Sequence, residues 1–291
     1  MEMSILESLE SYYASFAYIG VALILFLVGK FIYQLSHKSI RVNHELVEED
    51  NFAFSFSYVG YFIGLLLIIG ASIVGESNGL RLDLLDMIVY SLLGMILLNI
   101  SIWLNNKITL TKFDIKKEII EDRNEGTGII EAAISISVGL VLFGAISGES
   151  GGYLFGFQTA IIYWVVGLIL LFITSKVYNM MLSYDIHEHI EKDNVAVGIG
   201  YSGSLIAIGI IIMNALLGDF YDWTTMVFDV TIQFVIGLIL LPILRFFADK
   251  ILLPGSSLTY EIVHQEKANN GAALVEAFSY IGGAILILWC I

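Results

Sequence analysis

Eight apolar stretches, each long enough to cross a bilayer and joined by short polar connections, restrict this chain to one class of fold. A hydrocarbon core ~30 Å thick needs about 20 helical residues at ~1.5 Å each. Stretches near Tyr12–Leu35, Phe52–Gly75, Leu84–Asn106, Gly126–Gly148, Phe155–Met181, Val195–Leu217, Thr224–Lys250 and Gly271–Ile291 meet that requirement. Hydrocarbon offers no water to backbone amides and carbonyls, so such spans satisfy themselves as helices. The expected fold is therefore all-α, a polytopic membrane protein with eight transmembrane helices. Composition agrees: 57% of residues are hydrophobic and 14% charged, beyond the roughly 45–50% apolar content of soluble domains. The connections leave no room for a soluble domain, so any chemistry would take place inside or beside the membrane.

The chain also repeats itself. Glu48-Glu49-Asp50-Asn51, Glu121-Asp122-Arg123-Asn124, Glu191-Lys192-Asp193-Asn194 and Glu266-Lys267-Ala268-Asn269 all read ExxN, and each opens an even-numbered span. The preceding spans carry Gly94, Gly167 and Gly237 before a run of aliphatic residues, with Gly20 a weaker fourth. The unit is a helical hairpin of about seventy residues used four times. Two spans per unit give every copy the same orientation, so the repeats are parallel. Alternation between copies defines a larger unit. Seven residues after the asparagine stand Tyr58 and Tyr201 in units one and three, against Glu131 and Glu276 in units two and four. Eight residues before the aligned glycine, Asp86 and Asp229 occupy units two and four only. Two four-helix halves are expected, residues 1–148 and 149–291, related by a pseudo-two-fold.

Charge sets the expected orientation. Lys30, Lys38, Arg41, Lys107, Lys112, Lys116, Lys117, Arg123, Lys176, Lys192, Arg245, Lys250 and Lys267 fall at or near the connections after odd-numbered spans, and only Arg81 lies on the other side. Those connections are expected in the cytoplasm and both termini outside. The acidic start, MEMSILESLE, lacks the basic region and cleavage site of a signal peptide, so the first span is expected to be retained. Cys290 is the single cysteine, which excludes a disulfide within the chain. No basic stripe with interleaved aromatics is present, which excludes nucleic acid as a partner.

The ExxN phrase followed by a small-residue-rich helix, as in Glu191-Lys192-Asp193-Asn194-Val195-Ala196-Val197-Gly198, resembles the YjfL-like bacterial inner-membrane proteins, a domain of unknown function. A typical member corresponds to one four-helix half, so the resemblance covers both. Glu121-Asp122-Arg123-Asn124-Glu125-Gly126 departs from the usual phrase in lacking its alanine. The resemblance implies a helical fold in a bacterial-type inner membrane, and it carries no catalytic residues.

The candidate site residues follow from cost. A carboxylate about seven residues into a span lies roughly 10 Å along the helix, where it faces the bundle interior or a wet cavity. Glu131 and Glu276 are therefore candidates for a proton or cation site between the two halves, with Tyr58 and Tyr201 beside them. The competing reading is an ion pair with Lys30, Lys176 or Arg245. Asp86 and Asp229 read either as solvated helix caps or as an outer vestibule for cations. Asn51, Asn124, Asn194 and Asn269 suit N-caps, and Glu48, Glu121, Glu191 and Glu266 read as solvated cytoplasmic caps or partners for neighbouring lysines. Gly60-xxx-Gly64, Ser135-xxx-Gly139, Gly144-xxx-Gly148 and Ala273-xxx-Ala277 suit close helix packing. His187 and His189 are two apart, which argues against a shared metal.

No phosphate loop, HExxH or Ser/His/Asp spacing is present, so neither an enzyme nor a cofactor is expected. Two functions stay open. One is a channel or carrier for a small cation, a proton, alkali ion or polyamine. The other is a non-transporting scaffold presenting acidic cytoplasmic hairpins to a protein partner or to further copies of the chain. Under either reading the lipid bilayer is a partner.

Overall fold

The structure, a computed structural model, describes residues 5–74, 77–108, 115–148, 152–218 and 222–290. Gly75, Lys112 and Ile291, counted above, lie outside them. Ten α-helices are present among the described residues: α1 (Ile5–Ser36), α2 (Phe52–Ala71), α3 (Leu80–Ile108), α4 (Ile115–Ile120), α5 (Glu125–Ile146), α6 (Tyr153–Met181), α7 (Ile186–Glu191), α8 (Val195–Leu216), α9 (Trp223–Phe247) and α10 (Asn270–Cys290). Eight of them are long and apolar enough to cross a membrane. The short α4 and α7 sit in two of the connections, and π-helical turns at His44–Glu48 and Tyr260–His264 take the corresponding places in the other two.

Four inner helices, α2, α5, α8 and α10, pack on one another in chain order. The outer helices flank them: α3 lies against α2 and α5, α6 against α5 and α8, and α9 against α8 and α10, while α1 rests on α2 and α3. The repeats thus form a row whose ends are α2 and α10, and the two halves meet along α5 and α8. Burial follows this order. α5 and α8 are the most enclosed spans, whereas α1 shows most of its surface to the lipid.

The small residues do the work of the row. A Cβ on Gly64 would lie 2.5 Å from the Ser135 carbonyl oxygen, and one on Gly144 would lie 2.6 Å from that of Met213. Helix backbones this close gain dispersion contact that larger side chains would forbid, the usual currency of association in lipid.

Candidate functional site

The asparagines cap their helices. Asn51, Asn124, Asn194 and Asn269 accept through Oδ1 from the amides of Phe54 (3.0 Å), Thr127 (3.0 Å), Val197 (3.2 Å) and Ala272 (3.1 Å). In the first three copies the preceding residue, Asp50, Arg123 or Asp193, has positive φ, turning the chain sharply into the helix. The same amides also reach across the row. Nδ2 of Asn51 donates to the Ile119 carbonyl (2.9 Å), that of Asn124 to Ile190 (2.7 Å) and that of Asn194 to Ile262 (2.9 Å). Each of these three asparagines therefore starts its own helix and ties it to the next repeat.

The carboxylates that meet the asparagine amides are not those of the ExxN phrase. Glu48, Glu121, Glu191 and Glu266 are all exposed, and Glu48 bonds His44 at 2.9 Å. The acids that meet the asparagine amides are Glu45 for Asn51 (3.0 Å), Glu118 for Asn124 (2.9 Å) and Glu261 for Asn269 (2.8 Å). Burial pushes the Glu118 carboxyl above its ordinary value, opposed by the Asn124 hydrogen bond, whereas hydrogen bonding from Asn269 pulls Glu261 down. The available signal was an acid six residues before Asn51 and Asn124. Asn124→Ala is expected to cost roughly 2–4 kcal/mol, because it removes a cap and strands a buried carbonyl and carboxylate. Asn269→Ala, without the cross-repeat bond, is expected to cost about half as much. Equal falls in melting temperature would show that the tie between repeats contributes nothing.

The two intramembrane acids are buried, but they do not sit between the two halves as expected. Glu131 accepts from the Ser57 hydroxyl on α2, inside the first half. Glu276, wholly buried, pairs with Arg245 on α9 and accepts from Tyr178 (3.2 Å, α6) and Tyr280 (2.9 Å), inside the second half. The reason is helical phase. The position seven past each asparagine faces the preceding helix of the row, so the seam between α5 and α8 receives Tyr201, and Tyr58 turns to α1. Glu131, Tyr201 and Glu276 thus fall one to each of the three junctions of the row, and Tyr58 lies outside it against α1.

Tyr58 and Tyr201 nonetheless stand one ring away from the acids. Tyr33 of α1 packs edge-on against Tyr58, with centroids 5.1 Å apart, and lies beside Ser57 and Glu131. Tyr178 packs on Tyr201 at 5.6 Å and bonds Glu276. The Tyr201 hydroxyl itself donates to Ser175 at 2.7 Å. Lys30 and Lys176, the other cations considered for the acids, are exposed.

Beside the two acids the halves differ at two aligned positions. Six residues past the asparagine the first half has Ser57, which donates to Glu131, and the second has Gly200. A Cβ on Gly200 would meet Glu276 Oε2 at 2.8 Å, and that oxygen has no hydrogen-bond partner among the described residues. Eight residues past the aligned glycine, Arg245 of the second half is replaced by Ile102 in the first. Ser57, Tyr33, Tyr178, Tyr280 and Gly200 were not singled out from sequence; comparing the position one before Tyr58 and Tyr201 would have exposed the serine–glycine difference.

The two aspartates also part company. Asp86 accepts from the Tyr153 hydroxyl at 2.5 Å and, with Asp83 and Tyr18, lines a cavity of about 490 Å³ at the end of the helices opposite the ExxN motifs. Asp83, unremarked in the sequence, accepts from Tyr18 at 2.7 Å and from Ser77 at 2.5 Å. Asp229 is exposed on α9 and does not line that cavity.

Comparison with known proteins adds the family. Residues 6–146 and 153–291 each match the Domain of Unknown Function (DUF350). A UPF0719 transmembrane protein of Aquifex aeolicus (strain VF5) is 23% identical over 272 residues, covering 92% of this chain and 97% of that protein. No solved structure matches. With both four-helix halves matched, the chain belongs to the DUF350 family and carries the domain as two tandem copies.

Proposed function

We propose that this protein is a channel or carrier for a small cation in a bacterial-type inner membrane, with Glu131 as the working acid and Glu276 as a fixed structural charge. The observation that carries the reading is the asymmetry of two equivalent buried carboxylates. Arg245 already neutralises Glu276, and a carboxylate so held has no charge left to offer a passing cation. Glu131 accepts from the Ser57 hydroxyl of α2, and Ile102 takes the place aligned with Arg245. Intramembrane acids of this kind mark ion and proton pathways. The Asp83–Asp86 vestibule in the same half supports a cation approaching from the side opposite the ExxN motifs. The positive residues support a cytoplasmic location for the motif side.

The test is flux in proteoliposomes loaded with a pH dye or with rubidium. Wild-type protein is expected to move one of these ions down its gradient. Glu131→Gln is expected to lower the rate at least ~10-fold, as losing a required charge does, while the protein stays folded. The scaffold reading rests on the four exposed motif glutamates. It replaces transport if wild-type protein moves neither ion and the motif-side connections retrieve a defined protein.

A further inference from the structure

We propose that the cleft between α3 and α6 binds one acyl chain of a membrane phospholipid, with the chain's ester carbonyl accepting a hydrogen bond from Asn105. Packing of the outer helices makes the cleft. Within the halves these helices touch, α1 on α3 and α6 on α9, but α3 and α6 flank the seam without packing along their length. They are bridged instead at separate points, where Trp164 Nε1 donates to Ser101 Oγ (2.7 Å) and Tyr153 donates to Asp86 (2.5 Å). On the motif side of the Trp164–Ser101 bridge lies a cavity of about 320 Å³, floored by α5 and α8. That volume falls in the range of about 300–1,000 Å³ usual for small-ligand pockets.

The lining matches a lipid tail with one polar end. Leu104, Leu168 and Phe172 form an apolar wall, and Ile169 belongs both to the cavity and to the exposed surface, so the cleft opens sideways to the bilayer. Asn105 supplies the polar end. Its Nδ2 is buried and has no hydrogen-bond partner among the described residues, although a buried amide donor normally has one. Asn105 also lies at the right depth. It is near the end of α3, two residues before Lys107, whose ammonium stands 4.3 Å from the centroid of the exposed Trp103 ring. Trp and Lys at a span's end mark the headgroup level, where ester carbonyls and phosphates are found.

The experiment uses the full chain in phospholipid nanodiscs doped with a phospholipid bearing a diazirine on one acyl chain, with crosslinked residues mapped by mass spectrometry. Labelling is expected to concentrate on Leu168–Phe172, at least ~5-fold above the lipid-facing Leu23 and Leu27 of α1, a ratio of about one hydrogen bond's weight. Ile169→Trp, which fills the mouth from an exposed position, is expected to bring labelling down to the α1 level without lowering the melting temperature. An ether-linked probe, lacking the carbonyl, is expected to label wild type as weakly as the ester probe labels Asn105→Leu. Labelling no stronger in the cleft than on α1, or unaffected by Ile169→Trp, would overturn the site. Equal labelling by ester and ether probes would overturn the carbonyl contact.

Discussion

Neutralising Glu276 is expected to be the most damaging single charge change in the protein. Glu276→Gln leaves the Arg245 guanidinium buried without its counter-charge, which costs roughly 3–5 kcal/mol when a buried pair is broken from one side. Arg245→Met strands the carboxylate in the same way and is expected to cost a similar amount. Replacing both partners at once, Arg245→Met with Glu276→Leu, removes two desolvated charges together and is expected to recover most of that loss. Glu131→Gln keeps an acceptor for Ser57 and is expected to cost only about 1 kcal/mol. Melting temperatures of the four variants in one detergent provide the check. If Glu276→Gln melts like wild type, the Arg245 pair is not holding α9 to α10. If Glu276→Gln also abolishes flux while melting normally, the division of labour between the two acids is wrong.

The second large effect concerns backbone approach along the row. A Cβ on Gly60 would lie 2.2 Å from Ala132 Cα, and one on the equivalent Gly203 would lie 2.5 Å from Ala277 Cα. No rotamer relieves a clash between a Cβ and a neighbouring backbone, so the helices must separate. Gly60→Leu and Gly203→Leu are each expected to cost about 3 kcal/mol or more, at the upper end for overpacking, and to abolish folded protein in mild detergent. Gly20→Leu is the control, because nothing lies within 4 Å of its Cβ position. Gel filtration of the three variants separates the cases. Well-folded Gly60→Leu would mean that α2 and α5 are not in such close contact.

The same position explains where the row stops. Nine residues past the asparagine stand Gly60, Ala133, Gly203 and Phe278 in the four units. The first three admit the next helix. Phe278 is exposed, and its ring covers the face against which a fifth inner helix would pack. At the other end Val59 is exposed on α2, where Ala132, Ser202 and Ala277 occupy the corresponding buried positions. Bulky apolar residues at the two ends and small ones within distinguish lipid-facing ends from helix–helix junctions.

Much of this architecture is local and therefore legible in the chain. Hydropathy over about 20 residues requires a span because lipid cannot solvate backbone. Asn51, Asn124, Asn194 and Asn269 start helices through bonds to amides three residues ahead, a contact that sequence spacing alone determines. The recurrence of these phrases revealed four hairpins that alternate in kind and so pair into two halves. The partners across helices were not legible. A sequence places Glu131 and Glu276 at the same depth, but depth does not say which neighbour each meets. That depends on the order in which the inner helices pack. Because α5 packs on α2 and α10 on α8, each acid turns into its own half, and the α5–α8 seam receives Tyr201 instead. Arg245, Lys30 and Lys176 were equal candidates by depth alone. Only the tertiary structure brings Arg245 to Glu276, since helix rotation, set by glycine contacts on other faces, decides which long side chain points inward.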